Sequence, residues 1–320
     1  MGTYVLRRLL IAIPTLFGVT IVIFLAVRIL PGDPATAMAG AGEGEFVLSE
    51  EQLEKARRVL GLDKPLHVQY ISWIGGALRG DFGESYEMAN TTVGQIIALR
   101  FPITMQIALM AVALSWMIGL PVGIASARNQ NNGVDYMLRF VTSLFLAIPS
   151  FWLGMIMILV VVSLFLWRLP LTVVHFWEDP WANLQVTLGP AIALGTGAAA
   201  GLARVARSSV LEVLNSDFAR TARAKGLHDR SVLWVHVLKN ALLPVVTVSG
   251  LALGGLLGGA VAVETAFGVP GSGQALTRAL ASRDYPVIQN LTLLFGVIYV
   301  FLNLAIDLAY GWLDPRIRYN

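Results

Sequence analysis

Few residues in this 320-residue chain are placed to do chemistry. Cysteine is absent, which excludes disulfides, thiolate metal sites and a cysteine nucleophile. The four histidines, His67, His175, His228 and His236, have no metal-ligand spacing. No G-x-x-x-x-G-K-[ST] run offers a phosphate cradle, and no G-x-S-x-G run offers a nucleophile elbow. Two acids, Glu264 and Asp307, close or lie late in apolar stretches, where an acid is by default a functional candidate. A proton relay needs a buried partner, and the sequence supplies none for either. Asp307 falls near one surface, where a basic neighbour suffices to pair it, and Glu264 falls at the opposite mouth. Charge is concentrated instead in one passage, SDFARTARAKGLHDRSVLWVHVLKNALLP, from Ser216 to Pro244. That basic island between uncharged runs is the feature a function has to explain.

The elements that position it are read from the gaps between charges. The chain is 56% hydrophobic and only 13% charged, about half the charge share of soluble domains. Charge-free runs fall at Leu9–Val27, Phe101–Ala127, Phe140–Trp167, Pro180–Ala203, Asn240–Val263 and Tyr285–Ile306. A spanning helix needs about 20 mostly apolar residues, so these predict six transmembrane helices and an all-α membrane protein. A barrel needs alternation, and these runs are apolar all round. Arg7 and Arg8 before the first run, with Ala35-Thr36-Ala37 after it, imitate a secretory signal. The run exceeds a signal core, however, and Arg28 to Pro31 intervene, so it reads as a retained span.

Six alternating spans with the N-terminus inside place 13 Lys/Arg and five acids on the inner side. The outer side then holds 10 Lys/Arg and 14 acids. Basic residues favour the cytoplasmic side, so both termini are expected there. The outer segment Pro31–Arg100 is patterned rather than linker-like. In LSEEQLEKARRVLG, Ser49 and Gln52 form a capping box and Gly61 can end the helix. LDKPLHVQYISWIGGAL predicts a second amphipathic helix with Tyr70 and Trp73 suited to a membrane interface, and RGDFGES predicts a turn. A small helical extracytoplasmic cap follows.

Within the island, Ser216 is placed to cap a helix from Asp217, and Gly226 sits where a left-handed cap belongs. Asp229 is placed to cap a second helix, RSVLWVHVLKN. Phe218, Ala222 and Lys225 share one face of the first helix, with Arg220 and Arg223 on another. A short basic helix with few large apolar residues suits a protein groove better than a lipid surface. In SGLALGGLLGGAV, Gly250, Gly254 and Gly258 recur every four residues, which lets helices approach closely. The pattern serves equally for packing within the chain and for a seam between subunits.

FARTARAKGL…HVLKNALLP is similar to the cytoplasmic loop of permeases of ATP-binding-cassette importers, in the dipeptide, oligopeptide and nickel branch. RILPGDP, LGLDKPLHVQY, GDFGES, VETAFGVPGSG, RDYPVIQ and DPRIRY extend the resemblance along nearly the whole chain, and several of these motifs also resemble glutathione permeases. Of the broad pattern E-A-A-x-x-x-G…I-x-L-P, Arg220, Thr221 and Ala222 take the first three places and Gly226 the glycine. His236 and Leu238 take the I-x-L places, while Lys239 replaces the proline.

The resemblance implies a bacterial inner-membrane permease subunit for di- and oligopeptides, with nickel or opine-like compounds as alternatives. It implies a second permease, two cytoplasmic ATPases and an extracytoplasmic solute-binding protein as partners, and no nucleic acid. The chain is then no enzyme and holds no cofactor, since ATP and magnesium belong to the ATPases. Residues 1–30 become the first span, 31–100 the cap and 101–320 the permease core, with a cytoplasmic coupling loop at 208–240. Coupling falls to Asp217, Phe218, Arg220, Thr221, Ala222, Arg223, Lys225, Gly226 and Leu227. The subunit seam and path fall to Gly250, Gly254, Gly258 and Glu264. An ion-coupled secondary transporter needs inverted repeats and a polar midplane site, and a membrane enzyme needs a catalytic constellation; the sequence has neither. A channel leaves the island unexplained.

Overall fold

The computed structural model describes residues 2–29, 35, 49–88, 90–165 and 174–313. The PGDP of the first motif, Thr36 and Ala37 of the signal-like triplet, much of the cap up to residue 48, and the closing DPRIRY lie outside the described residues. Among the described residues the regular structure is helical, with one isolated antiparallel bridge between Glu84 and Thr92. In chain order the helices are α1 (Gly2–Ile29), α2 (Glu50–Val59), α3 (Leu66–Leu78), α4 (Val93–Leu114), α5 (Leu120–Arg128), α6 (Gly133–Ala147) and α7 (Ser150–Phe165). They continue with α8 (Pro180–Leu214), α9 (Asp217–Ala224), α10 (Asp229–Ser231), α11 (Leu238–Phe267), α12 (Ser272–Ser282) and α13 (Tyr285–Leu313). Wide π turns at Ser115–Gly119 and Val232–Val237 fuse α4 to α5 and α10 to α11. The second of these makes the expected helix RSVLWVHVLKN the start of one continuous run into α11 rather than a separate element.

Five helical runs are long and apolar enough to cross a membrane: Leu6–Ile29, Val93–Arg128, Pro180–Leu214, Asp229–Phe267 and Tyr285–Ile306. They contain five of the six expected spans. The remaining one, Phe140–Trp167, is not a single straight helix. α6 and α7 meet at a 95° bend, and they make a sixth span only if the bent pair counts as one. Pro149 is the cause. The residue before a proline is pushed out of the helical region, and Ile148 is extended at φ −83°, ψ 121°.

Cα proximity divides the chain into two compact units, one of residues 1–2, 105–269 and 301–320 and the other of 3–104 and 270–300. In the second unit, the capping box predicted at Ser49 and Gln52 is formed, with Ser49 N–H donating to Gln52 Oε1 at 3.0 Å. Gly61 ends α2 at φ +66°, where Leu62 N–H donates to Arg57 O at 2.9 Å. Tyr70 and Trp73, expected at a membrane interface, tie α3 to its neighbours. Tyr70 OH lies 2.7 Å from Thr20 Oγ1 of α1, and Trp73 Nε1 donates to Asn290 Oδ1 of α13 at 3.1 Å. Both rings pack on Phe24. Each half-buried ring thus keeps its polar tip hydrogen-bonded. The RGDFGES turn is held by buried Asp284, which accepts from the Ser85 hydroxyl and from Tyr86 N–H at 2.9 Å. Burial, with Asp284 nearby, pushes the Tyr86 phenol up to about 12.

The first unit is built around α8. Asp179 caps this helix, accepting from Trp181 and Ala182 N–H at 3.0 and 3.1 Å, and Pro180 starts it where no N–H is needed. α5, α6, α7 and α11 all pack on it. Small residues permit the closest of these approaches. A Cβ on Gly123 of α5 would sit 2.6 Å from Ala203 O and 2.6 Å from Ala206 Cβ of α8. One turn earlier Gly119 faces Ala199 in the same way. Farther along, the Phe267 ring at the end of α11 wedges against Gly154 of α7 and Gly189 of α8.

Gly123→Leu is therefore expected to lower the melting temperature of the detergent-purified chain sharply, since overpacking costs about 1–3 kcal/mol or more. Gly258→Leu, where nothing lies within 4 Å of the new Cβ, is expected to melt like the parent. The reverse order in a thermal scan would show that the α5–α8 approach is not the limiting contact.

Candidate functional site

The island folds as a knob at the end of α8. α9 follows α8 after Asn215 and Ser216. Ser216 stands at the expected cap position, but its hydroxyl donates backward to Val213 O at 2.6 Å and makes no cap bond to α9. The serine thus satisfies the carbonyl end of α8. Gly226 adopts φ +85°, as its place in the sequence predicts. Gly226 N–H donates to Arg223 O at 2.9 Å and Leu227 N–H to Ala222 O at 3.3 Å. These two bonds are the paired 5→2 and 6→1 bonds of a Schellman turn. The cap of the following helix is His228 rather than Asp229. Asp229 is instead engaged by Arg223, whose Nε donates to its Oδ1 at 3.1 Å.

A hydrophobic cluster seats the knob. Ala219 and Ala222 of α9 pack with Ile124 and Ala127 of α5, Val210 of α8, and Val232, Leu233, Val237, Leu238 and Ala241 of the helix beyond. Of the nine residues assigned to coupling, Ala222 is turned into this cluster. Asp217, Phe218, Arg220, Thr221, Arg223, Lys225, Gly226 and Leu227 remain exposed. Arg223 also reaches back, its Nη1 donating to Leu214 O at 3.3 Å, so a cation meets the negative end of α8. Arg220 and Asp217 approach at 3.6 Å in full solvent, a pair worth little. Trp234 and Val235, 56% and 62% exposed beside the knob, lie in the second helix of the island and were not singled out in the sequence.

Beneath the knob lies a contact that sequence reading also missed. Asp135, fully buried in the first turn of α6, accepts from Arg207 Nε at 2.8 Å and Nη2 at 2.7 Å. The Ser126 hydroxyl and Asn131 N–H complete its shell. A bidentate guanidinium and two further donors satisfy a buried carboxylate well. The two partners are 72 residues apart in sequence, and neither has a local signal to mark it.

The glycines assigned to a seam divide. Gly250 faces Ile306 of α13, whose side chain a Cβ would meet at 2.6 Å, so this position packs within the chain. Gly254 is half-buried, and Gly258 is exposed with open space before it. Glu264, placed by the sequence at a mouth, is fully buried. Its backbone carbonyl accepts Val269 N–H at 2.9 Å where Gly268, at φ +68°, ends α11. Among the described residues no group of acids and histidines is arranged to hold a metal.

Residues 119–319 match the family described as the binding-protein-dependent transport system inner membrane component, and residues 1–108 match the N-terminal part of such components. The chain is 39% identical to an oligopeptide transport system permease protein of Bacillus subtilis, with all of both chains covered. It is 37% identical to a di/tripeptide transport system permease protein of Pseudomonas aeruginosa, again over all of both chains. A probable peptide ABC transporter permease protein of Sinorhizobium fredii is 38% identical over the same extent.

Removing one partner of a buried ion pair strands the other, at about 3–5 kcal/mol. Arg207→Met is therefore expected to reduce strongly the folded, membrane-inserted chain recovered in detergent. The paired change Asp135→Asn with Arg207→Met is expected to recover much of it. A double variant no better than the single one would mean that Arg207 matters for something other than Asp135.

Proposed function

The chain belongs to the family of binding-protein-dependent transport system inner membrane components, and on that premise we propose that it is the permease subunit of an ATP-driven importer of di- and oligopeptides. It is a multi-pass protein of the inner membrane. The names of its relatives favour peptides over the nickel and opine alternatives. A subunit of this kind works with an ATPase and a solute-binding protein and does not itself turn over ATP. The full assembly we propose is this chain, a second similar permease, two ATPases and one binding protein.

The knob carries the reading. It is a polar helix on an apolar chain, with Ala219 and Ala222 buried and its polar residues, Phe218 and Leu227 presented outward. Such a surface suits a cleft in a cytoplasmic ATPase. The exposed basic residues Arg220 and Lys225 meet acidic or carbonyl groups there, which favours registry over raw affinity. α9 connects the end of α8 to the start of the α10–α11 run, and the cluster welds it to both. A displacement of the knob by closing ATPases is thus delivered to two spans at once. The distribution of Lys/Arg favours both termini in the cytoplasm. The acidic outer segment, with α2 and α3, faces the binding protein. The open face at Gly258, with Gly254 beside it, is offered to the second permease.

In the assembled complex, Gly226→Val forces a β-branched residue to φ +85°. Normal membrane levels are expected, with peptide-stimulated ATPase activity reduced at least about tenfold, a loss of coupling of about 1.4 kcal/mol or more. Stimulated ATPase and uptake at parental levels would show that the turn is not the pivot of coupling.

Orientation is checked separately. Protease added outside sealed spheroplasts is expected to cut within residues 49–65 and to spare Arg220–Gly226. Cleavage at Arg220–Gly226 from outside would invert the topology.

A further inference from the structure

A cavity of about 300 Å³ lies between α5, α6 and α8, next to the Asp135–Arg207 pair. Its polar lining is Ser126 of α5, whose hydroxyl is engaged by Asp135, together with Arg139, Thr142 and Ser143 of α6 and Arg204, Arg207 and Ser208 of α8. The charges there do not cancel. Arg207 is committed to Asp135, the buried acid at this site. Arg139 and Arg204 are exposed, and neither makes an ion pair among the described residues. Among the described residues, the Arg139 guanidinium carbon lies 5.9 Å from the ring of Tyr136. The Thr142 and Ser208 hydroxyls donate to backbone carbonyls of their own helices, while Ser143 is exposed beside them. The site therefore offers two unneutralised guanidinium forks and a hydroxyl around a space that takes a phosphate with room to spare. Arg forks match phosphate oxygens in pairs.

The surroundings select the kind of phosphate. On α6, the helix that carries Arg139, Phe140 is 70% exposed and Leu144 is 48% exposed. A free anion gains nothing from such neighbours. A phospholipid gains a surface for its acyl chains beside a slot for its head group. Arg139 stands six residues into α6, about 9 Å from its start along the axis, a depth suited to a head group rather than to the hydrocarbon midplane. We propose that this cavity binds the phosphate head group of an anionic phospholipid. The leaflet, inner on the orientation proposed above, rests on that reading, and the binding does not. Basic pockets between spanning helices on the cytoplasmic side are suited to such lipids, and each well-placed basic residue strengthens the attraction severalfold.

The test uses the purified, assembled complex and native mass spectrometry with added phosphatidylglycerol or phosphatidylethanolamine. The parent is expected to retain phosphatidylglycerol in preference. Arg139→Gln with Arg204→Gln is expected to weaken that binding about thirtyfold, two basic residues lost. Arg139→Lys with Arg204→Lys is expected to keep most of it. Each single glutamine variant, at an exposed position, is expected to lose about fivefold and decides the matter should the double variant not assemble. Millimolar inorganic phosphate is expected not to displace the lipid. Unchanged phosphatidylglycerol binding in the glutamine variants, or equal retention of phosphatidylethanolamine, overturns the site. Displacement by inorganic phosphate overturns the lipid as its occupant. Protease cutting at Arg220–Gly226 from outside would move the site to the other leaflet and leave these binding results standing.

Discussion

Everything around the coupling knob depends on how closely α5 and α8 approach. In lipid no hydrophobic effect drives helices together, so contact has to come from packing and polar bonds. Gly119 and Gly123 supply the packing by letting the backbone of α8 come in at Ala199 and Ala203. One turn further along each helix, Ser126 and Arg207 converge on Asp135. Ala127, the next residue of α5, and Val210, one turn further along α8, join the cluster that holds α9. Small residues, an ion pair and an apolar seat thus follow one another along a single ridge. A larger residue at Gly123 would disturb all three, because each is positioned by the one before.

Local features of this ridge and its surroundings were legible in the sequence, and distant ones were not. A capping box and a left-handed glycine are settled within five or six residues, so Ser49, Gln52, Gly61 and Gly226 could be assigned in advance. Ser216 and Asp229 show the limit of the same method. Each stands near a cap position, but Val213 O claims one and Arg223 the other. Five spans were plain from composition alone. The elbow before Pro149 was concealed, because an unbroken apolar run outweighed one proline. Tyr70 and Trp73 carried an interface signature, yet Thr20 and Asn290 were near enough to use their polar tips. Hydropathy has no means of knowing which neighbours a fold will bring.

The glycines make the same point more sharply. The longest regular glycine pattern, on α11, serves two different environments, with Gly250 against Ile306 and Gly258 in the open. The pair that matters most to packing, Gly119 and Gly123, is shorter and interrupted by a proline at its centre. Spacing tells where a helix can be approached. The partner's own small residues, here Ala199 and Ala203, decide where it is. The Asp135–Arg207 pair likewise became visible only when two segments 72 residues apart were set side by side.

The elbow at Ile148 also bears on how the chain enters the bilayer during synthesis. α6 has 15 residues, about 22 Å of rise. That arm alone does not cross a hydrocarbon core of about 30 Å. The bend interrupts the helical bonding ladder, and carbonyls freed there find no partner in lipid. The insertion machinery therefore meets a segment apolar enough to be released sideways but not shaped to rest there by itself. Its final form has to await α8, which is translated afterwards and against which both arms pack. Biogenesis of this region is accordingly a matter of assembly after insertion, with the third hydrophobic segment held unfinished until the fourth arrives.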